Sequence, residues 1–360
     1  MYTYGFSLII SAFCAYVASR SCVAYGNRSK EQRYYYNVLV ILSACPLVFT
    51  AAFRYGVGTD FFSYQTIFES IYNTKQNFYN VDIGFYWLNL LVAQFTENPQ
   101  AMFALCAALY VFFSYKLMQL QPANFYWSVL LFVLGGYYFI FMNTMKQYMA
   151  IAIVSYALKY VKEEKILQFV FFVILGSLFH LSVAIIVVVY LFRKTFVKLR
   201  TQILAILVSV AVLPSVASGI RWIVDSFFPR YSIYLERQNL LANELYVFAM
   251  ILINVSVLLY YHYCNSDVSG KYGSWENILL VMQLIAVFTS ITMMYIPLAE
   301  RVLQIFTFQQ LFGIPFFSNK LGKFRSDAFL ICWCIGMGAF SFLNLVIYQN
   351  HEVFPYHSIF

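Results

Sequence analysis

Long apolar runs separated by short polar loops form the dominant pattern of this chain. A helix that crosses a membrane needs about 20 consecutive, mostly apolar residues, and runs of this kind recur along the whole sequence. The bilayer core holds no water, so the backbone N–H and C=O groups of a spanning segment must form hydrogen bonds within the protein, as they do in a helix. The pattern therefore predicts an all-α, polytopic membrane protein with about 11–12 membrane segments. The apolar runs lie at residues 4–19, 36–53, 100–115, 125–142, 147–161, 166–192, 202–223, 245–263, 276–298, 302–317 and 327–348.

Two segments fit this pattern poorly. Residues 166–192 would have to leave one side of the membrane and return to it within 27 residues, whereas two complete crossings need roughly 40. We expect either two short half-helices that meet near His180, or one span that inverts the topology of everything after it. The apolar stretch 83–95 is too short to cross, so we expect a helix that lies at the outer interface or dips into it.

Composition favours one membrane domain and removes several other classes of protein. Of the 360 residues, 62% are hydrophobic and only 11% are charged, whereas soluble domains carry about 25% charged residues. No loop is long enough for a separate soluble domain, so we expect residues 1–360 to form a single integral membrane domain. The net charge of +8 needs no nucleic acid, since Lys/Arg-rich loops lie beside anionic lipid headgroups. The seven cysteines are scattered, and we expect neither a metal nor a cofactor.

The basic residues give the orientation of the chain. Cytoplasmic loops of membrane proteins are enriched in Lys and Arg, and 16 of the 23 basic residues fall in loops that can share one side. With that side in the cytoplasm, both termini face outward. A cation kept on the outer face against this trend suggests an anionic ligand there. The outward basic residues are Arg54, Lys75, Lys146, Arg221, Arg230, Arg237 and Arg301.

Residues 53–64 form the richest candidate site on the outer face. Arg54 offers a planar set of donors that matches phosphate oxygens, and two following glycines permit a tight turn close to a ligand. Asp60 could orient Arg54 or act as a general base, and Tyr64 is a candidate substrate contact. The alternative is an ordinary interfacial loop with an Arg–Asp pair and aromatic residues at the membrane surface.

Two further groups could take part in binding or proton transfer. Asn143, Lys146 and Gln147 fall within about one helical turn between two spans and could contact substrate; the alternative is a capping turn with a snorkelling lysine. His180 lies at the apex of the short segment 166–192, and its ordinary pKa suits proton transfer near neutral pH. A lone histidine on an apolar helix can equally be a core residue.

The remaining candidates lie in the second half of the chain. Arg230 and Tyr231 occupy a polar outer loop, and Arg301 stands at the outer end of a span; either group alone could be an interfacial anchor. The sequence has no P-loop, no nucleotide-binding fingerprint and no metal-binding motif. A reaction on the outer face therefore needs a substrate that is already activated, such as a sugar on a lipid pyrophosphate.

Several of these groups belong to an ordered set of motifs that runs through nearly the whole chain. The set comprises residues 53–64, 82–89, 142–147 and 179–184, the Arg230/Tyr231 loop, Arg301 and Pro355-Tyr356. In this order the motifs resemble the EpsG-like branch of Wzy-type polysaccharide polymerases. The chain departs from the family pattern at Asp82, where the family usually has Glu, and at Lys146, where it usually has Arg. Lysine keeps the charge but loses the bidentate fork.

The resemblance implies a fold, an activity and partners. The expected fold is a helical bundle of the GT-C glycosyltransferase type. The expected activity joins oligosaccharide repeat units carried on undecaprenyl pyrophosphate, at the periplasmic face of the bacterial inner membrane, with neither a nucleotide sugar nor a metal. The expected partners are this lipid-linked oligosaccharide and membrane lipid, with a chain-length regulator as a further candidate.

The resulting hypothesis is a repeat-unit polymerase. Arginines would hold the pyrophosphate and offset its charge as the glycosidic bond breaks, while His180 or Asp60 takes the proton of the acceptor hydroxyl, with His180 favoured. The closest alternative is a ligase that moves finished glycan to another acceptor. A flippase or transporter for lipid-linked sugar is the alternative from another class, but the nearly apolar inner half of the predicted bundle favours an enzyme.

Overall fold

Helices make up almost all of the regular structure. The computed structural model describes residues 2–24, 29–195, 198–227, 242–265, 275–296 and 298–360. Within these ranges the only β-type pairing is one antiparallel bridge, between Arg54 and Ser358. The prediction of an all-α, polytopic membrane protein is confirmed. The α-helices are α1 (Tyr2–Ala24), α2 (Lys30–Ala52), α3 (Phe61–Thr74), α4 (Ile83–Val92), α5 (Gln100–Met118), α6 (Phe125–Leu134), α7 (Tyr137–Asn143), α8 (Met145–Tyr156), α9 (Leu158–Lys162), α10 (Ile166–Ser177), α11 (Val187–Phe192), α12 (Leu199–Phe227), α13 (Ala242–Cys264), α14 (Trp275–Thr292), α15 (Ala299–Thr307), α16 (Gln310–Ser318) and α17 (Lys323–Phe342).

Some of these helices can cross a membrane unaided. In the part of the chain that the structure describes, seven helices are long and apolar enough, or eight if the pair α6 and α7, bent by 46°, counts as one span. The expected 11–12 segments exceed this number because several apolar runs are divided into shorter helices. The seven lie within Tyr2–Ser21, Lys30–Ala52, Gln100–Met118, Leu199–Phe227, Glu244–Cys264, Trp275–Thr292 and Lys323–Ile347.

Three apolar runs that were expected to form straight spans are interrupted. The run 125–142 bends after Gly135, where Gly136 has φ +82°. The run 147–161 is divided between α8 and α9, which are 12 and 5 residues long. The run 302–317 is divided into α15 and α16, with Gln309 between them. Each interruption brings the end of a short helix to a place where polar side chains can gather.

The segment 166–192 is broken as expected. Helix α10 ends at Ser177, a 3-10 helix begins at Leu181, and α11 follows. His180 lies in the break, so the prediction of two short helices meeting near it is confirmed. The expected short helix within residues 83–95 is α4, while its position relative to the membrane stays a prediction.

The described chain groups into two compact units. Unit 1 contains Met1–Lys159, Leu167–Ala184 and Leu321–Phe360, and unit 2 contains Tyr160–Ile166 and Ile185–Lys320. The expectation of a single integral membrane domain over residues 1–360 stays a prediction.

The core of unit 1 is built around α8. Residues 149–154 of this helix are all at most 2% exposed, and the helix packs against α5. On α5, the Tyr110 ring stacks on Phe141 with ring centres 4.1 Å apart, and its hydroxyl donates to the Tyr137 carbonyl at 2.9 Å. These contacts fix α7 and α8, and therefore the polar turn between them.

The core of unit 2 contains a network of buried side-chain amides. Gln283 of α14 donates to Asn254 Oδ1 of α13 at 3.1 Å, and Gln309 and Gln310 each donate to Gln283 Oε1 at 3.0 Å. All four residues are at most 3% exposed. Lipid tails are as apolar as helix surfaces, so burial of apolar side chains does not drive helices together in a membrane. Interhelical hydrogen bonds between amide side chains help to hold them together instead.

Candidate functional site

The loop 53–60, which follows α2, is shaped by close packing against the turn between α7 and α8. Gly58 has φ +92°, and a Cβ atom on it would lie 2.8 Å from the Met142 carbonyl oxygen. Only glycine tolerates both the left-handed backbone and this approach. The loop is also held from the other side, since the Gly58 amide donates to the Glu352 carbonyl at 2.9 Å and the Thr59 amide to the His351 carbonyl at 3.2 Å.

Arg54 lies entirely inside unit 1, with 0% of its surface exposed. Its Nη1 donates to the Ala51 carbonyl at 2.7 Å and its Nη2 to the Met142 carbonyl at 3.2 Å. The guanidinium carbon lies 4.7 Å from the centre of the Phe103 ring, a cation–π contact. Burial lowers the pKa of Arg54 to about 10, so the side chain stays charged at neutral pH. In this arrangement Arg54 ties α2 to α7, whereas the sequence predicted a direct contact with phosphate.

Asn143 connects three parts of the site. Its Oδ1 accepts hydrogen bonds from the Thr59 hydroxyl at 2.6 Å and from the Asp60 backbone amide at 3.1 Å. Its Nδ2 lies 2.8 Å from Nδ1 of His351. The side chain is 7% exposed, so it is a buried hub between the loop 53–60, the end of α7 and the C-terminal segment, which we define as residues 350–359.

Lys146 is paired with the carboxylate that precedes α4. Its Nζ lies 2.8 Å from Asp82 Oδ2, and the two side chains are 23% and 24% exposed. Its Nζ also lies 5.8 Å from the centre of the Phe85 ring. The two positions at which the sequence departs from the family pattern are therefore partners of each other. The pair is open enough to meet a ligand, and a substrate contact by Lys146 stays a prediction.

Tyr64 and Gln147 are buried in unit 1, close in sequence to Asp60 and Lys146. Tyr64 is 5% exposed and Gln147 is 4% exposed. The Tyr64 ring packs edge-on against Phe85, with ring centres 5.6 Å apart, and burial raises the pKa of its hydroxyl well above the usual value. Both residues therefore act first as packing and hydrogen-bonding elements of unit 1, and their contact with substrate stays a prediction.

The break around His180 lies against the start of α4. The Gly84 amide donates to the Leu178 carbonyl at 2.7 Å, and a Cβ atom on Gly84 would lie 2.8 Å from that oxygen. His180 is partly exposed, and Asp60 is exposed at the start of α3. The structure thus assembles the break, the Lys146–Asp82 pair and the Asn143 hub within unit 1, while the choice of base between His180 and Asp60 stays open.

The C-terminal segment is the part of the site that the sequence did not reveal. The Tyr55 amide donates to the His357 carbonyl at 2.9 Å, and the Ile359 amide to the Phe53 carbonyl at 3.1 Å. The segment thereby lies along the loop 53–60 and brings His351 to Asn143. Sequence reasoning used only Pro355 and Tyr356 from this region, and a short polar stretch after the last apolar run was the single available signal.

Gln100 is a second residue that the sequence analysis missed. It is 8% exposed, at the start of α5. Its Nε2 donates to the Arg54 carbonyl at 2.8 Å and also to the Ala52 carbonyl. Gln100 thereby satisfies main-chain acceptors left free at the end of α2, and nothing in the local sequence distinguishes it from a surface glutamine.

The remaining candidates belong to unit 2 or lie outside the described residues. Arg301 is exposed on α15. Beside it, Glu300 accepts a hydrogen bond from the Tyr246 hydroxyl at 2.9 Å, and burial raises the pKa of its carboxyl. Arg230 and Tyr231 lie outside the described residues. The expected convergence of Arg54, Arg230 and Arg301 on one cavity therefore stays a prediction.

Comparison with known proteins gives one match. The model of the EpsG family matches residues 37–358, which is nearly the whole chain and includes the loop 53–60, the Asn143 hub, the Lys146–Asp82 pair and the break at His180. No curated protein and no solved structure matches the chain. Within the described residues, no three His, Cys, Asp or Glu side chains are grouped closely enough to hold a metal ion.

Proposed function

Because the chain belongs to the EpsG family, we propose that it is a membrane glycosyltransferase that joins lipid-linked oligosaccharide repeat units into a polysaccharide. The observation that carries the proposal is the Asn143 hub, in which three segments far apart in sequence meet in one polar cluster inside the matched range. Asn143 is buried, and polar side chains buried inside membrane proteins are costly and tend to serve function.

In the proposed reaction, the growing chain on undecaprenyl pyrophosphate is the donor and a new lipid-linked repeat unit is the acceptor. A hydroxyl oxygen of the acceptor sugar forms a bond to the anomeric carbon of the donor, and the bond between that carbon and the pyrophosphate oxygen breaks. The pyrophosphate leaves with the electron pair, and the hydroxyl proton passes to a base. The free energy comes from the activated donor, so no nucleotide is consumed.

We assign roles to the candidate side chains according to how exposed each one is. His180 and Asp60 are the candidates for the base, since both reach the surface of unit 1. Arg301 is exposed in unit 2, and binding of phosphate by Arg301 and Arg230 stays a prediction. Arg54 acts from inside, because it holds the loop that carries Asp60 against the turn that carries Asn143. The reaction would take place at the periplasmic face of the bacterial inner membrane.

Glycan analysis of a deletion strain tests the proposed function. Deleting the gene should leave single repeat units on the lipid carrier or its acceptor and abolish the ladder of longer chains, while a plasmid copy restores the ladder. Long polymer that accumulates without reaching its final acceptor would instead indicate a ligase. Repeat units that stay on the cytoplasmic side would indicate a transporter, and either result would overturn the proposal.

A further inference from the structure

The orientation of the Asn143 side chain is fixed by its neighbours. A backbone amide can only donate a hydrogen bond, and the Asp60 amide points to Asn143 at 3.1 Å. The atom that faces Asp60, and the Thr59 hydroxyl at 2.6 Å, is therefore the carbonyl oxygen Oδ1. The amino group Nδ2 must consequently face His351, and Nδ2 can only donate.

This orientation determines which nitrogen of His351 carries the proton. Nδ1 of His351 lies 2.8 Å from Asn143 Nδ2 and must accept, so it has no hydrogen of its own. In a neutral imidazole the proton then sits on Nε2. A protonated ring would place a second N–H against the amide donor. Burial acts in the same direction and lowers the pKa of His351 to about 4, so the ring is neutral at pH 7.

The backbone around His351 is held in an unusual conformation. Gln349, His351 and Glu352 have φ values of 51°, 71° and 49°, in the left-handed region that non-glycine residues adopt at a cost of about 1–3 kcal/mol each. The Gly58 and Thr59 amides bind the carbonyls of Glu352 and His351, which holds the strained turn against the loop 53–60. Such strain, maintained by surrounding contacts, is concentrated at functional sites.

The outward nitrogen of this ring has no partner in the part of the chain that the structure describes. The side chain is partly exposed, and its one side-chain hydrogen bond is made by Nδ1. Nε2–H is therefore a donor that is preoriented by Asn143 and available to a ligand. A ligand at this position must bring an acceptor. Asn143, which orients the ring, follows Met142 in the chain, and the Met142 carbonyl binds the Arg54 cation.

We propose that His351 is a fixed hydrogen-bond donor to a phosphate oxygen of the lipid-linked substrate, set in its Nε2–H tautomer by Asn143. The inference rests on the proposed function, since it takes a prenyl pyrophosphate as the ligand. Phosphate oxygens only accept hydrogen bonds, and a donor that is oriented before the ligand arrives stabilises charge on the leaving group without reorganisation. His351 is then not the base, because its only free nitrogen already carries a proton.

Nitrogen-15 NMR tests the tautomer independently of activity. The chain has four histidines, so the purified protein in nanodiscs with ¹⁵N-labelled histidine gives few signals, and a His351→Gln variant assigns the one of interest. At pH 7.5 we expect a neutral ring with the proton on Nε2. A ring that is protonated, or that carries its proton on Nδ1, would overturn the proposal. In Asn143→Asp the carboxylate accepts from Nδ1, and the proton should appear there.

The same signal tests the ligand. Farnesyl pyrophosphate should shift the Nε2 resonance of His351, whereas farnesol, which has the same chain without phosphates, should not. No shift with farnesyl pyrophosphate, or an equal shift with farnesol, would refute the phosphate assignment. The titration itself is made on the wild-type protein, and the His351→Gln variant serves only to assign the signal.

Polymer formation provides the second test. His351→Ala should reduce polymerisation roughly 10- to 100-fold, the loss expected for one hydrogen bond to a charged group. His351→Gln keeps an N–H donor but cannot act as a base near neutral pH, and it should retain clearly more activity than His351→Ala. Equal loss in both variants would contradict a donor role. Lys75→Ala, at an exposed residue outside the site, is the control and should behave as wild type.

The two tests also separate this inference from the proposed function. If farnesyl pyrophosphate shifts the Nε2 signal but deletion of the gene leaves polymer length unchanged, the His351 site stands and the polymerase assignment is wrong. If the deletion strain confirms a polymerase but farnesyl pyrophosphate does not shift the Nε2 signal, the proposed function stands and the His351 site is wrong.

Discussion

Arg54 is a cation that the protein buries completely among neutral groups. Two main-chain carbonyls and the face of Phe103 replace the water that it gives up, and without such contacts a buried charge costs several kcal/mol. Its Nε is buried, and no described residue accepts a hydrogen bond from it. At the scale of single residues, the polar cluster therefore depends on the buried guanidinium of Arg54, which holds neighbouring main-chain segments in place.

Replacing Arg54 by lysine should impair both stability and activity. Lysine has no planar fork, so it cannot reach the Ala51 and Met142 carbonyls together, and an unsatisfied buried acceptor costs about 1–3 kcal/mol. We expect a lower melting temperature in detergent and a shorter polymer ladder. Lys75→Ala, at an exposed outer cation, should change neither. An Arg54→Lys protein with a normal melting temperature but no polymer would instead assign Arg54 to direct substrate contact.

The base can be assigned by comparing two substitutions. His180→Ala should abolish polymer while Asp60→Asn leaves partial activity, because an imidazole has the better ordinary pKa for proton transfer near neutral pH. Asp60 would then position the acceptor sugar. Chain-length ladders from cells with matched membrane levels of each variant provide the measurement. Full-length polymer made by His180→Ala would transfer the role to Asp60 or to no side chain.

At the scale of elements, the site is made by interruptions between helices. The break between α7 and α8 lies against the loop 53–60, and the break at residues 178–180 lies against α4. Helix ends leave main-chain donors and acceptors unsatisfied, and at these breaks such groups bind neighbouring segments. The same division of apolar runs that lowers the number of full-length spans therefore creates the candidate site.

A methyl group at Gly58 should separate two of these elements. In Gly58→Ala the new Cβ would lie 2.8 Å from the Met142 carbonyl at a φ of +92°, a conformation that costs a non-glycine residue on the order of 1–3 kcal/mol. The loop should move away from Asn143, so polymer formation should fall strongly while helix content by circular dichroism is unchanged. Gly336→Ala, on α17 with no atom within 4 Å of the added Cβ, is the control. Normal polymer in Gly58→Ala would show that the contact is dispensable.

Local sequence predicts these elements unevenly, for physical reasons. Chain length alone suggested the break at His180, because residues 166–192 are too many for one ordinary span and too few for two. The breaks beside Asn143 and Gln309 carry no proline, and their amide side chains read as tolerable helix residues. His351 was missed because its role arises from contact with the loop 53–60, nearly the whole chain away in sequence. The apolar pattern therefore predicts helices well and long-range polar contacts poorly.

At the scale of the whole molecule, the candidate site of unit 1 lies at one end of its helices. The Tyr4 hydroxyl donates to the Val353 carbonyl at 2.9 Å, and the Tyr356 hydroxyl donates to the Thr50 carbonyl at 3.0 Å. The start of α1, the end of α2 and the C-terminal segment therefore lie on the same side. This agrees with the sequence-based orientation, in which all three lie opposite the loops rich in Lys and Arg.

Cysteine labelling tests which side this is. In a cysteine-free background, single cysteines at positions 162, 200 and 323 should be protected from an impermeant reagent in intact cells, because basic loops stay in the cytoplasm. Cysteines at positions 2 and 357, which are exposed, should react from the periplasm. Reaction at position 323 would overturn the second half of the topology.

The attachment of residues 351–359 to the loop 53–60 also has a consequence for biosynthesis. The loop is translated and inserted early, yet its main-chain donors at Tyr55, Gly58 and Thr59 bind carbonyls that the ribosome supplies only after nearly every helix of the chain. Insertion of the spans and completion of the candidate site are thus separated in time. A nascent chain that stalls before residue 350 has the residues of all its spans but lacks these carbonyl acceptors, so its candidate site is incomplete.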